Sequence, residues 1–132
     1  MTAVNWKSSK KDGATQRSYM MIESVRWNVH LQSHIWSPPT DLLEYQNEYV
    51  VRVEISGMHQ HSFSIEIEDK FLIVKGNRPE PSGKKAFHQM EIRFGDFSSI
   101  VAIPELIDEE NASAEYLDGF LLITLPKLTK NE

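Results

Sequence analysis

From Tyr49 onward, apolar and polar side chains alternate along the chain. Tyr49, Val51, Val53 and Ile55 fall on one side of an extended backbone, with Arg52 and Glu54 on the other. Phe63, Ile65 and Ile67 alternate more strictly with Ser62, Ser64, Glu66 and Glu68. Successive side chains of a strand point to opposite faces, so this period of two predicts a half-buried strand over each stretch. Residues 71–75 form a short, nearly continuous apolar run reached across a tight turn at Asp69 and Lys70. Residues 97–103 are β-branched enough to be a further strand, and Pro104 ends it. Ala112, Ala114 and Tyr116 alternate with Ser113 and Glu115 before Asp118 and Gly119, a pair that readily supplies the positive backbone angles of a two-residue hairpin turn. Leu121, Ile123 and Leu125 answer on the return strand. Several short strands at this spacing, with almost no helical period, predict an all-β, antiparallel sandwich.

Upstream the texture differs. The first eighteen residues are polar and without period, which predicts a mobile segment. Residues 19–36 then bring Met20, Met21, Ile22, Val25, Trp27 and Trp36 without strong caps, and the only regular element they offer is a short helix around residues 20–27. Pro38 and Pro39 stop any helix, because proline lacks an amide donor and restricts its predecessor. They divide a partly disordered N-terminal arm, residues 1–36, from a domain over residues 37–127 and a short tail over 128–132. One stretch exceeds a minimal sandwich: about twenty residues separate the strand at 71–75 from that at 97–103, and connections so long are uncommon in compact domains and often functional. It opens with Pro79, Pro81 and Gly83 and turns strand-like over residues 86–92, so it predicts either a surface hairpin or a segment that pairs with another subunit's edge.

Composition narrows the function classes. At 132 residues the chain suits one domain plus an extension. No cysteine is present, which removes disulfides, thiolate metal sites and cysteine nucleophiles together. No apolar run approaches the ~20 residues of a bilayer-spanning helix, and the N-terminus has no apolar signal core; a cytoplasmic location is expected. Residues 1–36 carry five Lys/Arg against two acids, whereas residues 37–132 carry nine against seventeen. The acidic body argues against nucleic acid. His30 and His34, and His59 and His61, are close in sequence, but no carboxylate cluster completes a metal site, and no metal or other cofactor is expected. No nucleophile elbow, phosphate loop or zinc-protease motif occurs, so no catalytic residue is assigned.

The motifs point further. Ala114 to Leu121 reads A-E-Y-L-D-G-F-L and resembles the A-x-x-x-[N/D]-G-x-L signature of the small heat-shock proteins, the α-crystallin-type chaperones; Leu125, Pro126 and Lys127 follow where that family has L-P-K. Trp36, Pro38, Asp41 and Glu44 resemble the opening of its domain, and Ser56, Gly57 and Met58 resemble its P-G-V/M turn, with serine in place of the usual proline. Arg93, Gly95 and Phe97, then Ile103 and Pro104, resemble its R-x-G-x-F and L-P elements. The resemblance runs in register over residues 36–127.

The family resemblance implies an immunoglobulin-like sandwich and ATP-independent holding of non-native client proteins, which suppresses their aggregation. It implies a homodimer in which the segment of Phe87, Met90, Ile92 and Arg93 is exchanged onto a partner's edge strand near Leu43 and Tyr45, with higher or mixed family oligomers built from it. It also implies a groove between the strands of Phe63, Ile65, Ile67 and of Ala114, Tyr116. The aliphatic I-x-I/V tail motif that enters this groove in shell-forming members does not occur after Lys127, which argues against a shell stitched by tails. Met20, Met21, Ile22, Val25, Trp27 and Trp36 are the expected client-binding side chains, methionine for its adaptability and tryptophan for its large apolar area. Two other readings compete: a co-chaperone or adaptor sandwich docking a folded partner, and a carbohydrate-active sandwich using Glu66 and Glu68.

Overall fold

The computed structural model describes residues 2–3, 35–59 and 62–128. Eight strands occur there: β1 Thr2–Ala3, β2 Thr40–Glu44, β3 Glu48–Glu54, β4 Phe63–Glu68, β5 Phe71–Arg78, β6 Gly95–Ala102, β7 Ser113–Leu117 and β8 Phe120–Pro126, with one 3-10 turn at Glu109–Asn111. They form a five-stranded sheet in the order β1, β7, β8, β3, β2 and a three-stranded sheet in the order β4, β5, β6. Every ladder is antiparallel. The result is the all-β sandwich that the alternating pattern predicts.

The period of two decides which face is buried. Val51, Val53 and Ile55 are wholly enclosed while Arg52 and Glu54 are exposed, and Ile65 and Ile67 are buried beside exposed Ser64. These side chains meet Leu72, Val74, Phe97, Leu121, Ile123 and Leu125 in one core between the sheets. Each such burial contributes about 1.5–3 kcal/mol before entropy is subtracted. The predicted hairpin at Asp118 and Gly119 is formed with φ of 51° and 84°, and Asp69 takes φ 57° in the turn joining β4 to β5. Both turns therefore use the left-handed region that Asp and Gly tolerate better than bulky residues.

Trp36 departs from its expected place in the arm. Its side chain is only 7% exposed, its ring packs 5.6 Å from that of Phe97, and its backbone is tied to β6 by Trp36 N–H to Asp96 O and Ser98 N–H to Trp36 O. An indole this large beside an open strand edge is more stable filling the core than facing water. Two further differences concern pairing. Thr2 and Ala3, in a stretch expected to hold no element, add to the edge of β7 opposite Tyr116 and Glu115. Residues 86–92, strand-like in sequence, belong to no ladder. The helix expected over residues 20–27 lies outside the described residues.

The close approach of β5 to the core gives a test of the packing. A Cβ added at Gly76 would lie 2.5 Å from the Phe97 ring and 2.9 Å from the Ser62 carbonyl oxygen. Gly76→Ala is expected to lower unfolding stability by about 1–3 kcal/mol, measured by urea denaturation; an unchanged midpoint contradicts the packing.

Candidate functional site

Three surfaces carry the functional expectations. The first joins β2 to the loop between β5 and β6. β2 ends the five-stranded sheet, with β3 on one side and no described strand on the other. Such an edge presents unpaired N–H and C=O groups and is a template for a further strand. Leu43 is half-buried on this strand, and Tyr45 just beyond it is 54% exposed. All residues from 79 to 93 are exposed, including Phe87, Met90 and Ile92 at 50%, 67% and 65%. Together with Pro81 and Phe94 these three side chains line a shallow apolar hollow. Arg93 is also exposed, and its carbonyl is the loop's tie to the sandwich. Within this chain, Leu43 and Tyr45 form no ladder with the loop.

Arg78, which the sequence did not single out, holds the base of that loop. Its Nε donates to the Arg93 carbonyl at 3.0 Å, Nη2 donates to the same oxygen, and Nη1 donates to the Ser56 carbonyl at 3.2 Å. The guanidinium stacks 4.6 Å from the Trp36 ring and 5.3 Å from that of Phe94. A planar cation with five donors suits this combination of ring stacking and forked hydrogen bonding. Its partners come from three separate stretches of chain, so no local motif announces it. Inside the loop Lys85 donates to the Pro81 carbonyl, pairs with Glu80 at 2.5 Å and lies 5.9 Å from the Phe87 ring centre. The loop is thus held by its base and by its own contacts.

The second is the region between β4 and β7, where the family resemblance implies a groove. The fold brings Phe63, Ile65 and Ile67 together with Ala114 and Tyr116 in one cluster. The rings of Phe63 and Tyr116 are 5.4 Å apart, and the Tyr116 hydroxyl donates to the Ile55 carbonyl at 2.7 Å while accepting from Met58 N–H at 3.4 Å. Ile65 and Ile67 are 1% exposed, so they lie within the core. The backbone edge of β7 is taken by Thr2 and Ala3.

The third is a charged cluster that ties β2 to the end of β8. The buried Tyr49 hydroxyl donates to Glu105 at 2.7 Å, and Lys127 Nζ reaches Glu44 at 2.6 Å and Glu105 at 3.6 Å while lying 5.1 Å from the Tyr49 ring centre. Burial, then the Glu105 hydrogen bond, pushes the Tyr49 hydroxyl well above its ordinary value. The Tyr49 hydrogen bond, aided by Lys127 and opposed by burial, holds the Glu105 carboxyl below its ordinary value. Glu44 is the chief cause of a raised Lys127. The exposed Arg52 and Asp41 pair, 2.7 Å apart on β3 and β2, adds at most about 1 kcal/mol.

Met20, Met21, Ile22, Val25 and Trp27 lie outside the described residues, as do His30, His34 and His61. Among the described residues no group of three His, Asp or Glu side chains stands close enough to hold a metal ion, and no helix is long and apolar enough to cross a membrane. Glu66 is half-buried and Glu68 is 3% exposed.

A two-sheet antiparallel sandwich with a long unpaired loop between β5 and β6 defines an α-crystallin-type domain. The Hsp20/alpha crystallin family profile matches residues 41–132, and the chain belongs to that family of heat-shock chaperones. Small heat shock protein C4 of Rickettsia felis is 32% identical over 123 residues, covering 92% of this chain and 76% of that protein. A 17.7 kDa class II heat shock protein of Arabidopsis thaliana is 35% identical over 99 residues, 71% of this chain and 63% of that one. Small heat shock protein C2 of Rickettsia felis is 33% identical over 92 residues, and there the chain spans 60% of its relative's length. Among solved structures, heat shock protein 16.0 from Schizosaccharomyces pombe superposes with a TM-score of 0.64 at 29% identity, over 73% of this chain and 91% of that one. A small heat-shock protein from Xylella fastidiosa, described as having a distinct high order structure, gives 0.66 at 26% identity over 74% and 91%.

The charged cluster predicts an acid limb in stability. A carboxyl whose folded pKa is depressed contributes stability above its ordinary value of 4.5 and loses it as pH falls through the depressed value. Thermal melts should therefore drop as pH falls below 4.5, and Glu105→Gln should flatten that drop; an equally steep acid limb in the variant contradicts the role of Glu105.

Proposed function

We propose that this chain is an ATP-independent holdase that works as a strand-exchanged homodimer. The observation that carries the reading is the coexistence of two halves in one molecule: a β2 edge that no described strand covers, and a loop whose Phe87, Met90 and Ile92 are half exposed or more while its backbone joins no ladder among the described residues. In the proposed dimer each loop adds as a strand to the partner's β2, near Leu43 and Tyr45, and hides its three apolar side chains. Arg78 fixes where the loop leaves the sandwich, and the Tyr49, Glu105 and Lys127 cluster fixes the receiving edge. Higher assemblies and mixed assemblies with other family members are built from that dimer.

Client capture belongs, on this reading, to the N-terminal arm and the groove. Partly unfolded proteins expose apolar segments and unpaired strand edges. Met20, Met21, Ile22, Val25 and Trp27 offer adaptable apolar area to the first, and the β7 edge offers hydrogen bonds to the second once Thr2 and Ala3 leave it. Trp36 leaves the set because it fills the core. The domain begins with it, and the arm ends just before. The site of action is the cytoplasm, and the chemistry uses no catalytic residue and no cofactor.

Two experiments test the reading. Ile92→Asp combined with Phe87→Asp is expected to weaken dimerisation at least about tenfold, since buried apolar anchors dominate such interfaces. Light scattering across a dilution series measures it, and an unchanged dimer places the interface elsewhere. The intact chain should suppress aggregation of a heated client at near-stoichiometric amounts without nucleotide, and replacing Met20, Met21, Ile22 and Trp27 together by serine should reduce that protection several-fold. No protection by the intact chain overturns the holdase; full protection by the variant moves capture to the groove.

A further inference from the structure

β8 is apolar on both of its faces. Leu121, Ile123 and Leu125 point into the core and are wholly enclosed, so Phe120, Leu122, Thr124 and Pro126 point away from it. The line continues past the strand, where Leu128 N–H donates to Leu106 O. An antiparallel sheet with one wet face alternates apolar with polar residues, whereas a strand apolar on both sides is the pattern of a sheet covered on both. The neighbours of β8 keep the alternation better. β3 turns Glu48, Arg52 and Glu54 outward around Val50, and β7 turns Ser113 and Glu115 outward before Leu117.

The result is an apolar stripe one strand wide. Phe120 at one end is 37% exposed and Leu128 at the other 55%, with Leu122, Thr124 and Pro126 half-buried between them. Eight steps of about 3.4 Å make the stripe on the order of 27 Å long. No described strand lies over it, since the three-stranded sheet packs on the opposite, core side.

Carboxylates border the stripe on both sides, about 4.8 Å from its centre line, the spacing of neighbouring strands. Glu54 stands directly opposite Phe120, Glu115 directly opposite Leu122, and Glu48 opposite Pro126. Among the described residues none of these three enters an ion pair or a side-chain hydrogen bond. Arg52, the cation in the outward rows, is already taken by Asp41 at 2.7 Å. At the Phe120 end, Pro39, Asp41, Arg52 and Glu54 complete a shallow hollow around the ring.

We propose that this outer face is a docking surface for a basic amphipathic helix of a partner polypeptide, lying along β8. A helix is about 10–12 Å across, roughly two strand spacings, so one centred on β8 meets the borders with the flanks of its apolar face. Its apolar residues rest on Phe120, Leu122 and Thr124, while flanking lysines or arginines pair with Glu48 and Glu54 on one side and Glu115 on the other. About 18 residues cover the length at 1.5 Å each. The hollow receives one cation between the Glu54 carboxylate and the Phe120 ring. An acidic helix matches the stripe equally well but meets like charge at both borders, so the carboxylates select the basic class. This docking goes beyond the holdase reading and does not depend on it, because a peptide tests it without any client.

The probe is a synthetic 18-residue peptide with leucine along one face and lysine on the flanks, titrated into the intact chain in a calorimeter. It is expected to bind at least about tenfold more tightly than the same peptide with glutamate in place of lysine. Glu54→Lys combined with Glu115→Lys should reverse that preference. No binding to the intact chain, or a lysine preference that survives the double substitution, overturns the proposal. A second measurement leaves the chain unsubstituted: the lysine peptide carrying a central benzophenone should cross-link within residues 48–54 or 113–128, and cross-links confined to other residues overturn the proposal. The chain has no cysteine of its own, so Thr124→Cys labelled with benzophenone reports what sits on the stripe. Saturating peptide should capture its cross-links. Cross-links to a second copy or to the N-terminal arm that the peptide leaves unchanged assign the face to those occupants and overturn the proposal.

Discussion

Backbone hydrogen bonding at strand edges is the constraint on which the rest of this molecule depends. A sandwich that does not close into a barrel leaves edges, and each edge carries N–H and C=O groups that must find partners or water. Here the edges are treated differently. β7 is covered by Thr2 and Ala3, β6 by the backbone of Trp36, and β2 by no described strand. On the proposed holdase reading such edges must be addressable, since a strand edge is what a partly unfolded client also exposes.

The core supplies the rigidity that makes those edges useful. Side chains from both sheets meet in one cluster with almost no exposure, and Gly76 lets the Phe97 ring pack against the β5 backbone. Because the interior is dense, β2 and β7 are held at fixed separations, and long-range ties hold the periphery to them. Arg78 joins Ser56, Trp36, Arg93 and Phe94, while Tyr49 and Lys127 join Glu44 and Glu105. Both clusters stand at the root of the proposed exchange surface, one on the donating side and one on the receiving side. The loop between them needs little structure of its own in a single chain, because in the proposed dimer its partner is another copy.

Much of the sandwich was readable residue by residue. The alternation at Tyr49, Val51 and Val53, the hairpin at Asp118 and Gly119, and the signature from Ala114 to Leu121 are local patterns, and local patterns survive in a linear string. The inward placement of Phe63, Ile65, Ile67, Ala114 and Tyr116 was legible for the same reason, as each lies on a strand whose inward face the period identifies. Trp36 was misplaced because an apolar residue next to a run of other apolar residues carries no mark of whether it faces water or the core. β1 was missed because two residues have no period.

The sequence by itself determined most of the strands, their buried faces, the family and the long loop, because side-chain period and turn chemistry act over a few residues and need no knowledge of distant ones. Only the tertiary structure decided which edges are occupied, that Trp36 belongs to the core, and that Arg78 and the Tyr49 cluster brace the two sides of β2 and the loop. Each of those depends on groups far apart in the chain meeting in space, and such meetings follow from how two sheets pack rather than from the residues on either side.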